Sequence, residues 1–303
     1  MRENWATITK TTSNLILIMK YGVIDVGSNS VRLMISENGK SLEKFIATTR
    51  LAEGKKDGFL CEKSSLRTLK AIKEYASLAR DYGAERIFSF ATAAVRDSVN
   101  GADFALKAEE LSGVYLDVVS GETEALLGLY GALDGKDGAV LDIGGGSTEI
   151  GALKNGKCVY SVSLPIGAVV LAQRFGQDYR AIKDYVNNAV KGYGDIPSDS
   201  FRCIGGTCTT VAAVSLKLVA YDSEKVDGYK LTKNEIKRIA DEISALTVEE
   251  RKEIAGIQKE RADIIHAGAA IFNAVAEYVG IPYFTVSESD NLEGFLRYIT
   301  EKK

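Results

Sequence analysis

Apolar and polar positions along the chain follow strand and helix periods in turn, and one local pattern occurs twice. Residues 23–33 read VIDVGSNSVRL and residues 140–150 read VLDIGGGSTEI. Each runs two apolar residues, aspartate, an apolar residue, glycine, two small or polar residues and serine, then enters a second apolar-rich stretch. The pattern predicts a strand, a tight Gly/Ser turn and a second strand, which together form a β-hairpin. Past the first turn, Val31, Leu33 and Ile35 alternate with Arg32, Met34 and Ser36, the period of a strand. A motif that recurs so far along the chain predicts two similar domains side by side, since solenoid repeats return every ~20–50 residues.

Between the hairpins, Leu66, Leu69, Ile72, Ala76 and Ala79 fall at helical spacing within residues 65–82. Residues 87–91 and 114–119 read as short strands, and 122–133 as a helix with Ala125, Leu126, Leu129 and Leu133 on its apolar side. The second half repeats the style. It predicts a strand at 158–164, a polar helix at 178–192, a loop at 193–200, a strand ending at Cys203-Ile204 and a helix through about Val219. Helices at 232–245 and 260–279, a short strand ending at Val286 and a helix at 291–301 complete the chain. Strands alternating with helices predict an α/β fold. Residues 135–138 are the expected junction between a domain I at 19–134 and a domain II at 135–288. Residues 1–18 are expected to be a loosely ordered or non-native extension, because Met19 stands directly before a strong strand and would be the natural start. The lone tryptophan, Trp5, falls in that stretch and receives no role.

Composition narrows the class. The 303 residues suffice for two cores, and 46% hydrophobic with 26% charged residues is ordinary for a globular protein. One histidine, His266, excludes an HExxH zinc site and argues against a histidine-built di-metal phosphatase. It is expected to be an ordinary helical residue. Cys61, Cys158, Cys203 and Cys208 form no CxxC and are expected to be reduced thiols of a cytoplasmic protein. A net charge of −3 argues against nucleic-acid binding driven by global charge. No apolar run approaches the ~18 residues of a membrane span.

The glycines carry the chemical hint. Gly27-Ser28-Asn29-Ser30 and Gly144-Gly145-Gly146-Ser147-Thr148 form the two turns, and Gly205-Gly206-Thr207 opens a helix. Such turns gather backbone N–H groups and hydroxyls into a concavity that suits a phosphoryl group, and a helix N-terminus adds to this. None matches GxxxxGK[ST]. Asp25, Asp142 and Glu149 flank the turns. Carboxylates beside bound phosphate need a cation between them, which points to Mg²⁺ or Mn²⁺.

With these motifs in place, the chain resembles the Ppx/GppA family of exopolyphosphatases and guanosine pentaphosphate phosphohydrolases. The likeness rests on VIDVGSNSVRLMI at 23–35, ATAAVR at 91–96, SGETEA at 120–125, LDIGGGSTEI at 141–150, IGGTCTTVAA at 204–213 and ERADIIHAGAAI at 260–271. It implies two ribonuclease-H-like domains facing each other across a cleft, with the last helix, about 289–303, packing back on domain I. It implies Mg²⁺-assisted transfer of a terminal phosphoryl group to water from polyphosphate or, alternatively, guanosine pentaphosphate. In that likeness Glu124 activates the water, Arg96 grips the phosphoryl oxygens and Arg50 is a second basic group near the cleft. Arg32 has less weight, because the family often carries another residue there. Thr123 replaces a glutamate of the family motif, and Leu292 stands where many members have an arginine that would contact phosphate. Members often dimerise, and this sequence has no interface signature. A sugar-kinase-like ATPase or a non-catalytic nucleotide sensor remain as other classes, although no adenosine-binding signature is recognisable.

Overall fold

The computed structural model describes residues 19–301. The extension expected at 1–18, with Trp5, lies outside them. The first hairpin is β1 (Lys20–Val26) and β2 (Ser30–Glu37), continued by β3 (Lys40–Thr48). Then come α1 (Glu62–Asp81), β4 (Arg86–Ala91), the short α2 (Ala93–Arg96), α3 (Gly101–Ser112), β5 (Leu116–Val118) and α4 (Gly121–Leu133). The second hairpin is β6 (Gly138–Ile143) and β7 (Thr148–Lys154), continued by β8 (Lys157–Leu164). It is followed by α5 (Ala168–Phe175), α6 (Tyr179–Ala189), β9 (Phe201–Ile204), α7 (Gly205–Ser215) and α8 (Ser223–Val226). The chain ends through β10 (Lys230–Thr232), α9 (Lys233–Ala245), α10 (Val248–Arg251), α11 (Ile265–Val279), β11 (Tyr283–Val286) and α12 (Asn291–Glu301).

The duplication seen in the sequence is a duplication of topology. One sheet has the order β3-β2-β1-β4-β5 and the other β10-β11-β9-β6-β7-β8. In each, the central strand is antiparallel to its hairpin partner and parallel to the strand on its other side. This is the ribonuclease-H-like pattern, built twice. Each sheet has its own core. Ile24, Val31, Leu33, Ile72 and Ala76 belong to the first, and Leu141, Ile150, Val211, Ile239 and Phe272 to the second.

The α4 helix sits where the two lobes meet, and its sequence shows why. It is apolar on more than one face. Leu127 joins Val23, Met34, Phe90, Leu292, Phe295 and Leu296, while Leu129 and Leu133 join Val140, Leu153 and Ile204 of the second sheet. The α12 helix crosses α4 and packs on the first sheet, stacking Phe295 on Phe90 with ring centroids 4.5 Å apart. Glycines permit that crossing. A Cβ on Gly131 would lie 1.9 Å from the Asp290 carbonyl oxygen, and one on Gly294 1.8 Å from that of Leu127.

Some elements differ from the sequence expectation. The helix expected through about Val219 stops at Ser215. The one expected from residue 260 begins at Ile265, after a 3-10 turn at Lys259–Arg261. The stretch expected as one helix over 178–192 is α6 followed by a 3-10 turn, Val190–Tyr193. The β3 strand escaped the pattern because it is an edge strand with mostly exposed residues, so neither face is marked by burial. All four cysteines are free thiols. No helix among the described residues is long and apolar enough to cross a membrane.

Adding one methyl group at the α4–α12 crossing should be felt throughout the fold. Gly131→Ala is expected to lower the free energy of unfolding by about 1–3 kcal/mol in chemical denaturation. A wild-type value would mean that the helices separate there without cost.

Candidate active site

Each hairpin turn is closed by the same bond. The Gly27 N–H donates to the Ser30 carbonyl and the Gly144 N–H to the Ser147 carbonyl, both at 3.0 Å. Other carbonyls of the turns accept from N–H groups further along the chain. Thr49 and Arg50 N–H groups donate to the Asn29 carbonyl at 3.0 and 2.7 Å, and Ala52 N–H to that of Ser28 at 3.0 Å. In the second lobe, the first turn of α5 does the same. Ala168 N–H reaches the Gly144 carbonyl at 3.0 Å, and those of Val169 and Val170 reach the Gly145 carbonyl at 2.9 and 3.1 Å. What the turns retain for a ligand is mainly N–H and hydroxyl donors, the chemistry of an anion site.

The turns also touch each other. A Cβ on Gly145 would lie 3.1 Å from that of Ser28, and one on Gly146 would lie 2.7 Å from Ser28 Oγ. The third turn joins them from β9. Gly205 has a φ of +87°, and a Cβ there would lie 2.6 Å from Asp142 Oδ1. The N-terminus of α7 therefore opens directly beside the second hairpin. A cleft of about 760 Å³ runs between the lobes, and all three turns line it together with Asp25, Arg32, Glu124 and Asp142.

Matched positions in the two hairpins carry opposite electrostatics. Asp25 stands opposite Arg32 in the β1–β2 register, whereas Asp142 stands opposite Glu149 in β6–β7. Arg32 donates from Nε and Nη2 to Asp25 Oδ2 at 2.9 and 2.5 Å, and from Nη1 to Asp290 Oδ2. Lys44 pairs with Glu293 at 2.7 Å. Burial opposes ionisation of Asp290, but Arg32 and Lys44 prevail and hold its carboxyl below the usual range. Asp142 has only a neutral partner, Asn291 Nδ2 at 2.7 Å, and Glu149 accepts from Ser163 Oγ at 2.6 Å. Glu124, in the first turn of α4, accepts from Arg96 Nη1 at 2.9 Å. Burial pushes all three carboxyls up. Asp142 rises to about 6 and Glu124 to about 7, the charge of Asp142 adding to the rise of Glu124. Glu149 lies well above its ordinary value, raised by burial and then by Glu124 and Asp142.

The structure brings Gly27, Ser28, Asn29, Ser30, Gly144, Gly145, Gly146, Ser147, Gly205, Gly206 and Thr207 to the cleft. Four expected residues are not among those lining it. Glu149, 1% exposed, stands across the β6–β7 ladder from Asp142. Thr148 is fully buried and its hydroxyl donates to the Ile166 carbonyl, because the alternation of β7 turns it away from the cleft. Arg50 is not among the lining residues and pairs with Asp263 of the other lobe. Arg96 is not among the lining residues and donates to Glu124 and to the Val119 carbonyl. Two other readings also change. Arg32, given little weight in the sequence, is the centre of the first lobe's charge network. Leu292 is a core residue beside Val23 and Phe295, so an apolar side chain suits its position. His266 is buried in α11, with Nε2 against the Gly176 carbonyl at 2.9 Å.

One cleft residue went unrecognised. Arg261 packs so closely on the third turn that a Cβ on Gly206 would lie 2.1 Å from its Nη1. It has no carboxylate ion pair among the described residues, and burial followed by Arg32 lowers its pKa. Its place in the ERADIIHAGAAI motif was the available signal.

Comparison with known proteins places this geometry. Residues 31–302 match the model of the Ppx/GppA phosphatase family. The chain is 33% identical to a bifunctional 3-dehydroquinate synthase/phosphatase from Fusobacterium nucleatum, over 92% of this chain and 46% of that protein. It thus spans about half the length of that relative. It is 30% identical to exopolyphosphatase 2 of Mycobacterium tuberculosis, over 91% of this chain and 97% of the relative. The crystal structure of the Aquifex aeolicus Ppx/GppA family member superposes with a TM-score of 0.79 at 31% identity, covering 94% of this chain and 98% of that one.

The crowded carboxyls predict a stability that depends on pH. They bind their protons more tightly folded than unfolded, so they favour the fold at low pH. That benefit is lost as pH rises through the folded values, about 6 for Asp142 and about 7 for Glu124. Without divalent cation, Glu149→Gln should melt above wild type near pH ~8, at about 2–4 °C per kcal/mol of relief. The gap should narrow toward pH ~6 as the wild-type carboxyls take up protons. Reading the difference removes the opposite trend of His266, whose pKa burial depresses in both proteins. A gap that widens on acidification would contradict the reading.

Proposed function

The chain belongs to the Ppx/GppA phosphatase family, and we propose that it hydrolyses terminal phosphoanhydride bonds of polyphosphate with the help of Mg²⁺. The observation that carries this reading is the placing of Glu124. It is a buried carboxylate, 6% exposed, clamped by Arg96 and lining the same cleft as three phosphate-sized turns. Its bond to Arg96 leaves one oxygen to accept a proton from water. The water oxygen attacks the terminal phosphorus, and the bridging oxygen leaves with the shortened chain. Turn N–H groups and Arg261 hold the phosphoryl oxygens as charge shifts. Such chemistry is mostly positioning and charge stabilisation. Arg96 acts through Glu124, fixing its rotamer and favouring its ionised form. The name of the exopolyphosphatase relative supports the same substrate class.

The donor set fits a hard cation. Asp25 Oδ1 and Glu149 Oε2 are buried without a hydrogen-bond partner. One or two of Asp142, Glu149 and Asp25 would hold it, with water and substrate oxygens completing its shell. Among the described residues no three acidic, histidine or cysteine groups form a ready-made cage. That suits Mg²⁺, which keeps several waters and substrate oxygens when bound. When bound, the cation would neutralise the carboxylates and the phosphate oxygens.

The outer cleft favours compact substrates. Away from the turns it is lined by Leu42, Phe45, Ile46 and Tyr221, with Lys44 and the carboxylates of Glu43, Glu224 and Asp227. A long polyanion would meet carboxylates there, whereas a substrate whose phosphates end inside would meet apolar and aromatic surface. This supports short oligophosphates and, as the second reading, guanosine pentaphosphate.

Phosphate release with Mg²⁺ from tripolyphosphate, long-chain polyphosphate, guanosine pentaphosphate and ATP tests the assignment. Glu124→Gln is expected to lose ~10²–10⁴ in kcat. Chelation should abolish release, and added Mg²⁺ or Mn²⁺ should restore it. No release from any substrate would sink the hydrolase reading, and an unimpaired mutant would sink the role of Glu124. Sugar-dependent formation of ADP would point to a kinase instead.

A further inference from the structure

Arg50 lies between β3 and α1 of the first lobe, and Asp263 lies just before α11 of the second. Arg50 Nη1 and Nη2 donate to Asp263 Oδ2 and Oδ1 at 2.6 and 3.2 Å. Nη2 also donates to the Glu260 carbonyl at 3.0 Å. The guanidinium therefore holds the chain on both sides of Arg261, a cleft cation with no carboxylate ion pair among the described residues. The backbone of the same residue holds the opposite wall. Its N–H donates to the carbonyl of Asn29 in the first phosphate turn at 2.7 Å. Arg67 fixes this loop, donating from Nε to the Thr49 carbonyl and from Nη2 to the Arg50 carbonyl and Glu53.

Two further observations point away from an incidental surface pair. Arg50 has a φ of 50°, a left-handed conformation that is strained for arginine and would ordinarily fall to Gly, Asn or Asp. The bonds of this loop to Asn29 and Arg67 hold the backbone in that conformation. Besides this pair, the neighbouring polar tie between the lobes is Gln173 Nε2 to the Ala52 carbonyl at 2.9 Å. Both members of the pair are about one-third exposed, at 33% and 36%. An ion pair that wet is weak, which suits a contact that opens and closes better than a permanent clamp.

We propose that Arg50 and Asp263 form an interlobe latch that sets Arg261 against the first phosphate turn when the cleft closes. The pair makes closure and phosphate binding one event. It rests on the hydrolase reading above for its kinetic consequence, though not for its structural one. Arg50 is a positioning residue, since neither it nor Asp263 lines the cleft.

Charge exchange tests the latch with little risk to the fold, because aspartate tolerates a left-handed φ. Arg50→Asp and Asp263→Arg each place like charges together, and the double exchange rebuilds the pair in reverse. Each single variant is expected to raise KM for tripolyphosphate about five- to fifty-fold with kcat within about two-fold, because saturating substrate still drives closure. The double variant should recover most of the loss. Small-angle scattering of the free proteins should show a larger radius of gyration for the single variants and a wild-type value for the double. Unchanged KM and radius in both single variants, or a double variant as impaired as either, would overturn the latch. If the wild type hydrolyses nothing, the hydrolase reading fails and the scattering result decides the latch by itself.

Discussion

Negative charge buried without a cation of its own is the constraint around which this molecule is organised. The two hairpins share one backbone plan, yet Asp25 faces an arginine across its ladder while Asp142 faces a glutamate. In the first lobe Arg32 and Lys44 pair with Asp25, Asp290 and Glu293, although burial still holds the Asp25 carboxyl above its ordinary value. The second brings Asp142 and Glu149 close to Glu124 with Asn291, Ser163 and Arg96 as their hydrogen-bond partners. Such a cluster is costly by itself, and relief comes from protons or from a bound ion. The site resembles a half-reaction kept waiting. Turn amides offer positive potential and carboxylates offer negative potential within one cleft.

The part of this site readable from sequence is the part made by local motifs. The hairpin turns are contiguous strings of small residues, so their geometry comes from a few adjacent φ and ψ angles. Glu124 is legible through the family likeness of SGETEA, since a glutamate in the first turn of a helix by itself reads as one that stabilises the helix dipole. Contacts that depend on how two lobes meet were not readable. Arg50 and Arg96 are basic residues at the expected positions, but their partners, Asp263 and Glu124, lie far along the chain and in one case on the other lobe. Arg261 was missed for the same reason, because only the tertiary fold lays it on Gly206. Thr148 shows the resolution of strand alternation. A shift of one residue past the turn takes a hydroxyl from the cleft to the core, and sequence boundaries are rarely known that well. The β3 strand and the two 3-10 turns were hidden by weak or absent periodicity.

Between the lobes, α4 couples support to chemistry. Its N-terminal turn delivers Glu124, its middle packs on the first sheet through Leu127, and its end packs on the second through Leu129 and Leu133. Any rotation of one lobe against the other must pass through this helix and the glycine-lined contact it makes with α12. Glu124 is therefore mounted on the element that packs against both sheets.

The return of α12 also affects the order in which the molecule can be made. The cluster under the first sheet contains Val23, Met34 and Phe90 from early in the chain but also Leu292, Phe295 and Leu296 from its far end. A ribosome-bound nascent chain can pair β1 with β2 and β4 early in synthesis, yet one face of that sheet stays uncovered until residues 291–296 have emerged. The second lobe faces no such wait, since its core draws on residues from about 139 to 286. The lobe translated first is thus the lobe completed last. The apolar face of its sheet is closed only when α12 docks.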